Sequence, residues 1–210
     1  IISCGNRKPQ QESLQTIEQV MLTDSTNFYY LNAANSISTN ASLPIGIFDS
    51  GTGGLTVLDE LVNFDVYNNN DHSSGKDGKP DFEKEKFIYL ADQANMPYGN
   101  YYAAGKTDLL VEHILKDAQF LLSNKYYADE NAKTYSTDKE SVKAIVIACN
   151  TATAYGKDSI ESLLNKAGLN IPVIGVIDAG AKGALDIFKK DENGSIGVFA
   201  TVGTIASKGY

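Results

Sequence analysis

The chain has 210 residues, enough for one large domain or for one domain and part of another. Its 42% hydrophobic content can build a core, and 18 basic against 26 acidic residues give a net charge of −8, which argues against nucleic acid as the main partner. Two cysteines are too few for a disulfide framework, and no apolar stretch is long enough to span a membrane.

Residues 1–43 read as a leader and tether. Ile1-Ile2-Ser3-Cys4 resembles the end of a bacterial lipoprotein signal, in which the cysteine becomes the acylated N-terminus. A polar stretch follows directly, and residues 14–42 are rich in Asn, Ser and Thr with no firm pattern. A chain that opens on Ile1 is expected to be processed or a piece of a longer one.

Residues 43–48 predict the first core strand, with Pro44 at its start, where a missing N–H is tolerated. Asp49-Ser50-Gly51-Thr52-Gly53-Gly54 is a glycine-rich turn, and Leu55, Leu58, Leu61 and Val62 then recur at helical spacing. Residues 65–86 are polar, rich in turn formers, and predict a surface insertion; His72 falls there as a solvated loop residue. Residues 87–91 predict a second strand, ending in a loop that contains Pro97-Tyr98-Gly99. A helix is predicted over 106–125, with His113 on its surface or half-buried, and a second polar insertion over 126–141.

Ala144-Ile145-Val146-Ile147-Ala148 predicts a strand buried on both faces, and it stops abruptly at Cys149-Asn150-Thr151. The residues from Thr151 to Lys166 are helix-compatible, with Asn150 or Thr151 as cap. Cys149 is thus expected where a strand hands over to a helix, a place whose free amides and dipole favour a thiolate. The plainer alternative is a small buried hydrophobe, the commonest fate of a free cysteine. Further strands are predicted over 171–177 and 195–200, with a helix after Asp178 and another starting near Thr201-Val202-Gly203-Thr204.

Strands alternating with helices imply an α/β fold with a mostly parallel sheet flanked by helices on both faces. The strand C-termini then share one rim, and each carries a polar or glycine-bearing signature. Gly51-Thr52-Gly53-Gly54 fails the dinucleotide pattern because position 56 is Thr56, yet it still offers free amides at a helix start. No P-loop lysine motif and no Cys/His metal spacing is present.

Taken together, Ile45-Gly46-Ile47-Phe48-Asp49-Ser50-Gly51-Thr52-Gly53-Gly54-Leu55-Thr56-Val57-Leu58, Pro97-Tyr98-Gly99, Ala148-Cys149-Asn150-Thr151-Ala152 and Ala200-Thr201-Val202-Gly203-Thr204-Ile205 resemble glutamate racemase, in that family's order. The resemblance runs over 45–210, apart from the two insertions. It implies a first domain over 44–175 and the start of a second over 176–210. It also implies a racemase without cofactor or metal, working by two cysteines, that interconverts L- and D-glutamate for peptidoglycan synthesis.

By that likeness Cys149 is one catalytic thiol and Asp49 assists it near the substrate ammonium. Asp49, Ser50, Tyr98, Gly99, Asn150 and Thr151 would hold glutamate, with Thr201 or Thr204 as a weaker candidate. The only arginine is Arg7, so amides and hydroxyls must bind the dicarboxylate. The implied partner is the small-molecule substrate; a homodimer fits, with oligomeric state left open. The implied location is the cytoplasm, with a membrane anchor through Cys4 as the alternative. Asp178 stands where family members often show Glu. The second catalytic cysteine, in a Cys-Thr-His motif, is expected beyond Tyr210. Two other readings stay open: a non-catalytic glutamate-binding protein, and a single-thiol enzyme of the same superfamily.

Overall fold

The computed structural model describes residues 16–32, 40–188 and 194–210. Cys4 and its expected lipid lie outside them. Four strands form one sheet in the order β2-β1-β3-β4, all parallel. They are β1 (Ile45–Asp49), β2 (Phe87–Ala91), β3 (Ala144–Ile147) and β4 (Val173–Gly175). The helices are α1 (Ile17–Thr23), α2 (Leu55–Val62), α3 (Asn100–Ala103), α4 (Thr107–Leu122), α5 (Asn150–Ala167), α6 (Val176–Asp186) and α7 (Val202–Ser207).

The core lies mainly on one face of the sheet. Register places Phe48 beside Ile147, and both, with Ile145, belong to the cluster completed by α4 and α5. In α4 the apolar residues Leu110, Ile114, Ala118, Leu121 and Leu122 recur at helical spacing and are buried. In α5 the buried stripe is Ala152, Ile160, Leu163 and Leu164. The second face is thinner than the alternating pattern predicts: Ile47 is fully buried there, but α2 has no buried residue. With eight residues, α2 is too short to cover a sheet face before the polar insertion begins.

Three expectations need correction. Residues 16–32 are not tether. Thr16 and Gln19 form a capping box that starts α1, and Met21 and Leu31 enter the core. The helix packs on α4 and α5, and Phe28 stacks against Tyr29, Tyr127 and Tyr135. Seven residues, about two helical turns, give too short a periodic window to stand out, so the burial of α1 is a tertiary effect. The strand predicted over 171–177 is only Val173–Gly175, because Val176 and Ile177 already open α6. The strand predicted over 195–200 is not formed; those residues are exposed, with Phe199 at 98%. Their β-branched residues have no neighbouring strand among the described residues, and β propensity is mostly packing against such neighbours.

The insertions over 65–86 and 126–141 are loops, each closed by one antiparallel bridge, Tyr67 with Ser74 and Tyr126 with Ser136. The first is held from within by aspartates accepting backbone N–H groups, as Asp65 does from Asp77 and Gly78. Among the described residues, no helix is long and apolar enough to cross a membrane.

Candidate active site

Parallel strands end at the same edge, so β1, β2 and β3 bring Asp49, Asp92 and Cys149 to one rim. Cys149 has extended backbone angles and is the N-cap of α5. Its Sγ accepts the N–H of Ala152 at 3.4 Å, and its carbonyl accepts from Thr153 at 2.9 Å. The positive end of α5 therefore faces the sulfur. Ser50 Oγ lies 3.3 Å from the same Sγ.

Asp49 is buried, and its Oδ2 accepts the N–H of Gly54 at 2.8 Å. That bond folds the glycine-rich turn back onto the strand end. A Cβ on Gly54 would lie 2.8 Å from both Asp49 Cβ and Ala148 Cβ, so only glycine lets the turn approach so closely. Thr151 Oγ1 and Thr201 Oγ1 each lie 2.9 Å from Thr204 Oγ1 of α7, and Thr204 is fully buried.

These groups surround a cavity of about 500 Å³. Asp49, Cys149, Asn150, Thr151, Thr201 and Thr204 line it, together with Gly53, Thr56, Val57 and Val176. Among the described lining residues Asp49 is the only charged one. Two larger clefts, of about 750 and 740 Å³, lie elsewhere and hold no cysteine. The chemistry, not the size, singles out the smaller cavity.

Of the residues named from sequence, Asp49, Cys149, Asn150 and Thr151 line the cavity, and Ser50 reaches it through the sulfur. Tyr98 does not line it. It is 2% exposed, and its hydroxyl lies between Asp92 and Asp117. Its phenol is pushed far above the usual range, first by burial and then by the Asp117 charge. Gly99 packs beside the lining residue Thr201: a Cβ there would meet Thr201 Cγ2 at 3.2 Å. Asp178 sits in the first turn of α6, away from the cavity, with Lys157 Nζ 3.4 Å from its Oδ2.

Sequence reasoning missed Thr56, Val57, Asp92 and Asp117. Asp92 follows β2 as Asp49 ends β1, and that parallel was a usable signal. Asp117 had a subtler one, being a carboxylate among the buried positions of α4. Burial pushes its carboxyl up to about 7, with the Tyr98 hydroxyl opposing and the Asp92 charge adding to the shift.

A one-sulfur, one-carboxylate cavity walled by hydroxyls and amides suits proton transfer to or from a small polar substrate. The chain is 37% identical over 168 residues to the glutamate racemase of a Sulfurihydrogenibium species, covering 80% of this chain and 48% of that protein. It is similar to about half of a glutamate racemase. The glutamate racemase of Aquifex pyrophilus is 36% identical over 168 residues, with the same coverage of each. The crystal structure of glutamate racemase from Campylobacter jejuni matches with a TM-score of 0.52 at 30% identity, covering 79% of this chain and 49% of that one. A glutamate racemase isoform from Bacillus anthracis matches with a TM-score of 0.51 at 32% identity, covering 79% and 46%. No family model matches. The chain thus spans about half the length of the glutamate racemases it matches, and its parallel α/β sheet is theirs in fold.

Proposed function

We propose that the cavity beside Cys149 binds glutamate, and that the protein of which this chain is part interconverts L- and D-glutamate, the D form serving peptidoglycan synthesis. The observation that carries the reading is the convergence of Cys149 Sγ, Ser50 Oγ and the Ala152 N–H within 3.4 Å of the sulfur, beside the Asp49 carboxylate. A sulfur with two close donors at a helix N-terminus can hold negative charge and take the α-proton of an amino acid. Asp49 then faces the substrate ammonium, while Asn150, Thr151 and the rim amides hold the carboxylates. No lysine lines the cavity among the described residues, so hydrogen bonds bear the anionic groups. The likeness to glutamate racemases selects the substrate from the amino acids this chemistry would accept.

Cys149 serves one face of the α-carbon. Inversion needs a second acid/base on the other face, and the only other cysteine in the sequence is Cys4. Glutamate incubated in D₂O with the 210-residue chain tests the reading. Incorporation of deuterium at the α-carbon, abolished by Cys149→Ala, supports it. Unlabelled glutamate with a folded, reduced chain overturns the assignment of Cys149 as the acid/base.

A further inference from the structure

Beneath the rim, the Tyr98 hydroxyl lies 2.6 Å from Asp92 Oδ2 and 2.7 Å from Asp117 Oδ2. A phenol carries one proton and can donate to only one of these oxygens. The other contact is a hydrogen bond only if that carboxyl supplies a proton of its own. Two ionised carboxylates on one hydroxyl would leave one oxygen pair with no hydrogen between them, buried in a low-dielectric site.

The neighbours identify the carboxyl that keeps the proton. Both Asp92 oxygens accept from Asn95 Nδ2, at 2.9 and 3.0 Å, as an ionised carboxylate would. Asp117 has no second donor among the described hydrogen bonds and stands among Ile114, Ala118 and Leu121 on the buried side of α4. We propose that Asp117 is a positioning residue. It donates its own proton to Tyr98 Oη while Tyr98 donates to Asp92, and this chain of three groups fixes the Pro97 to Gly99 loop against Thr201.

From Gly99 the contact runs to Thr201, whose hydroxyl bonds Thr204, which in turn bonds Thr151 two residues after Cys149. Loss of the Asp117 proton places a second negative charge beside Asp92, so the Tyr98 ring and its loop lose their anchor.

The surroundings support this distribution of charge. From α3, Tyr101 donates to the carbonyl of Asn95, and its ring packs on His113 of α4. From β1, Asp49 is engaged by the Gly54 N–H. Glu18 of α1, Asp158 and Lys166 of α5, and Asp108 and Glu112 of α4 line a separate groove on the other side of α4. None of the described ion pairs includes Asp92 or Asp117.

The consequence for substrate rests on the glutamate reading above; the hydrogen-bond chain does not. Carboxyl carbon and backbone amide NMR of the 210-residue chain across pH tests the chain itself, on the parent, Asp117→Asn and Tyr98→Phe. One aspartate carboxyl titrates near 7 in the parent and is missing in Asp117→Asn. The Gly99 and Thr201 amides follow the same midpoint in the parent. They stop moving in Asp117→Asn, whose amide is a permanent donor, and stop following the carboxyl in Tyr98→Phe. A parent with no carboxyl titrating near neutrality, or with Gly99 and Thr201 unmoved through that midpoint, overturns the proposal. If Asp117→Asn does not fold, the parent and Tyr98→Phe decide alone. Glutamate affinity measured over the same range separates the two readings. A chain that shows the coupled titration but binds no glutamate keeps the clamp and loses the substrate.

Discussion

Ser50 Oγ and Cys149 Sγ stand 3.3 Å apart across 99 residues of sequence, held there by the parallel pairing of β1 with β3. The hydroxyl can donate to an ionised sulfur or accept from a thiol, so it serves the sulfur in either state of a proton transfer. In Ser50→Ala the sulfur keeps only the Ala152 N–H. We expect deuterium exchange at the α-carbon of glutamate to slow markedly in Ser50→Ala and to fall by about 10²–10⁴-fold in Cys149→Ala. Equal rates in Ser50→Ala and parent would remove the hydroxyl from the chemistry.

Exchange and inversion should separate in this chain. Cys149 lies on one wall of the cavity, and a reacting atom must come within roughly 3 Å and stay aligned. The 210-residue chain is expected to exchange the α-proton while leaving the optical rotation of L-glutamate nearly unchanged. Circular dichroism of the same samples reads the difference. Rapid racemisation by this chain would require a second acid/base among its own residues.

Asp49 has a structural and a substrate-facing role, which substitutions can divide. Its Oδ2 accepts from Gly54, and the same carboxylate lines the cavity. Asp49→Asn keeps an oxygen for the Gly54 N–H but removes the charge for an ammonium, so glutamate binding should weaken far more than thermal stability. Gly54→Ala should do the reverse first, since its Cβ would lie 2.8 Å from Ala148 Cβ. We expect a loss of about 1–3 kcal/mol in denaturant unfolding.

The docking of α1 is open to a stability measurement. Met21 is fully buried between α1 and the core, so Met21→Ala should cost about 2–5 kcal/mol. A tether would tolerate the change, and an unchanged unfolding midpoint would return residues 16–32 to that status.

Asp117 predicts a pH dependence with a defined sign. Its carboxyl is raised in the folded state from the ordinary 3.8 to about 7, so the native state binds more protons than the unfolded chain between those values. Its contribution to stability is full below about pH 4 and is lost as pH rises through about 7. Lys139, which burial holds down to about 8, acts above that window with the opposite sign. Thermal unfolding of the parent should lose stability across pH 5 to 7 relative to Asp117→Asn, which carries no charge there. Parallel curves for the two proteins would show that Asp117 is not protonated in the folded chain.

Much of this architecture is written locally. Runs such as Ala144 to Ala148, bounded by polar residues, specify strands of a parallel sheet, although in β3 only Ile145 and Ile147 are fully buried and the other face is half-covered. The punctuation after each run, Asp49-Ser50 and Cys149-Asn150-Thr151, marks the edge where a parallel sheet collects its strand ends. Residue type and position along the chain were therefore enough to bring Asp49 and Cys149 under consideration together.

Tertiary structure decided what local pattern could not. Tyr98 reads as a rim residue in sequence, yet its ring is buried and its hydroxyl is held by Asp92 and Asp117, because a side chain's direction depends on the elements packed around it. Residues 195–200 have the composition of a strand but no strand partner among the described residues, and a strand is a property of two segments, not of one. Met21 lies in a seven-residue helix between polar flanks and still enters the core, since so short a helix becomes stable only when α4 and α5 offer it an apolar surface. The fold class and the rim follow from periodicity, which each segment carries alone. The three-way contact at Tyr98, the docked α1 and the unpaired segment before α7 follow from packing, which no segment carries by itself.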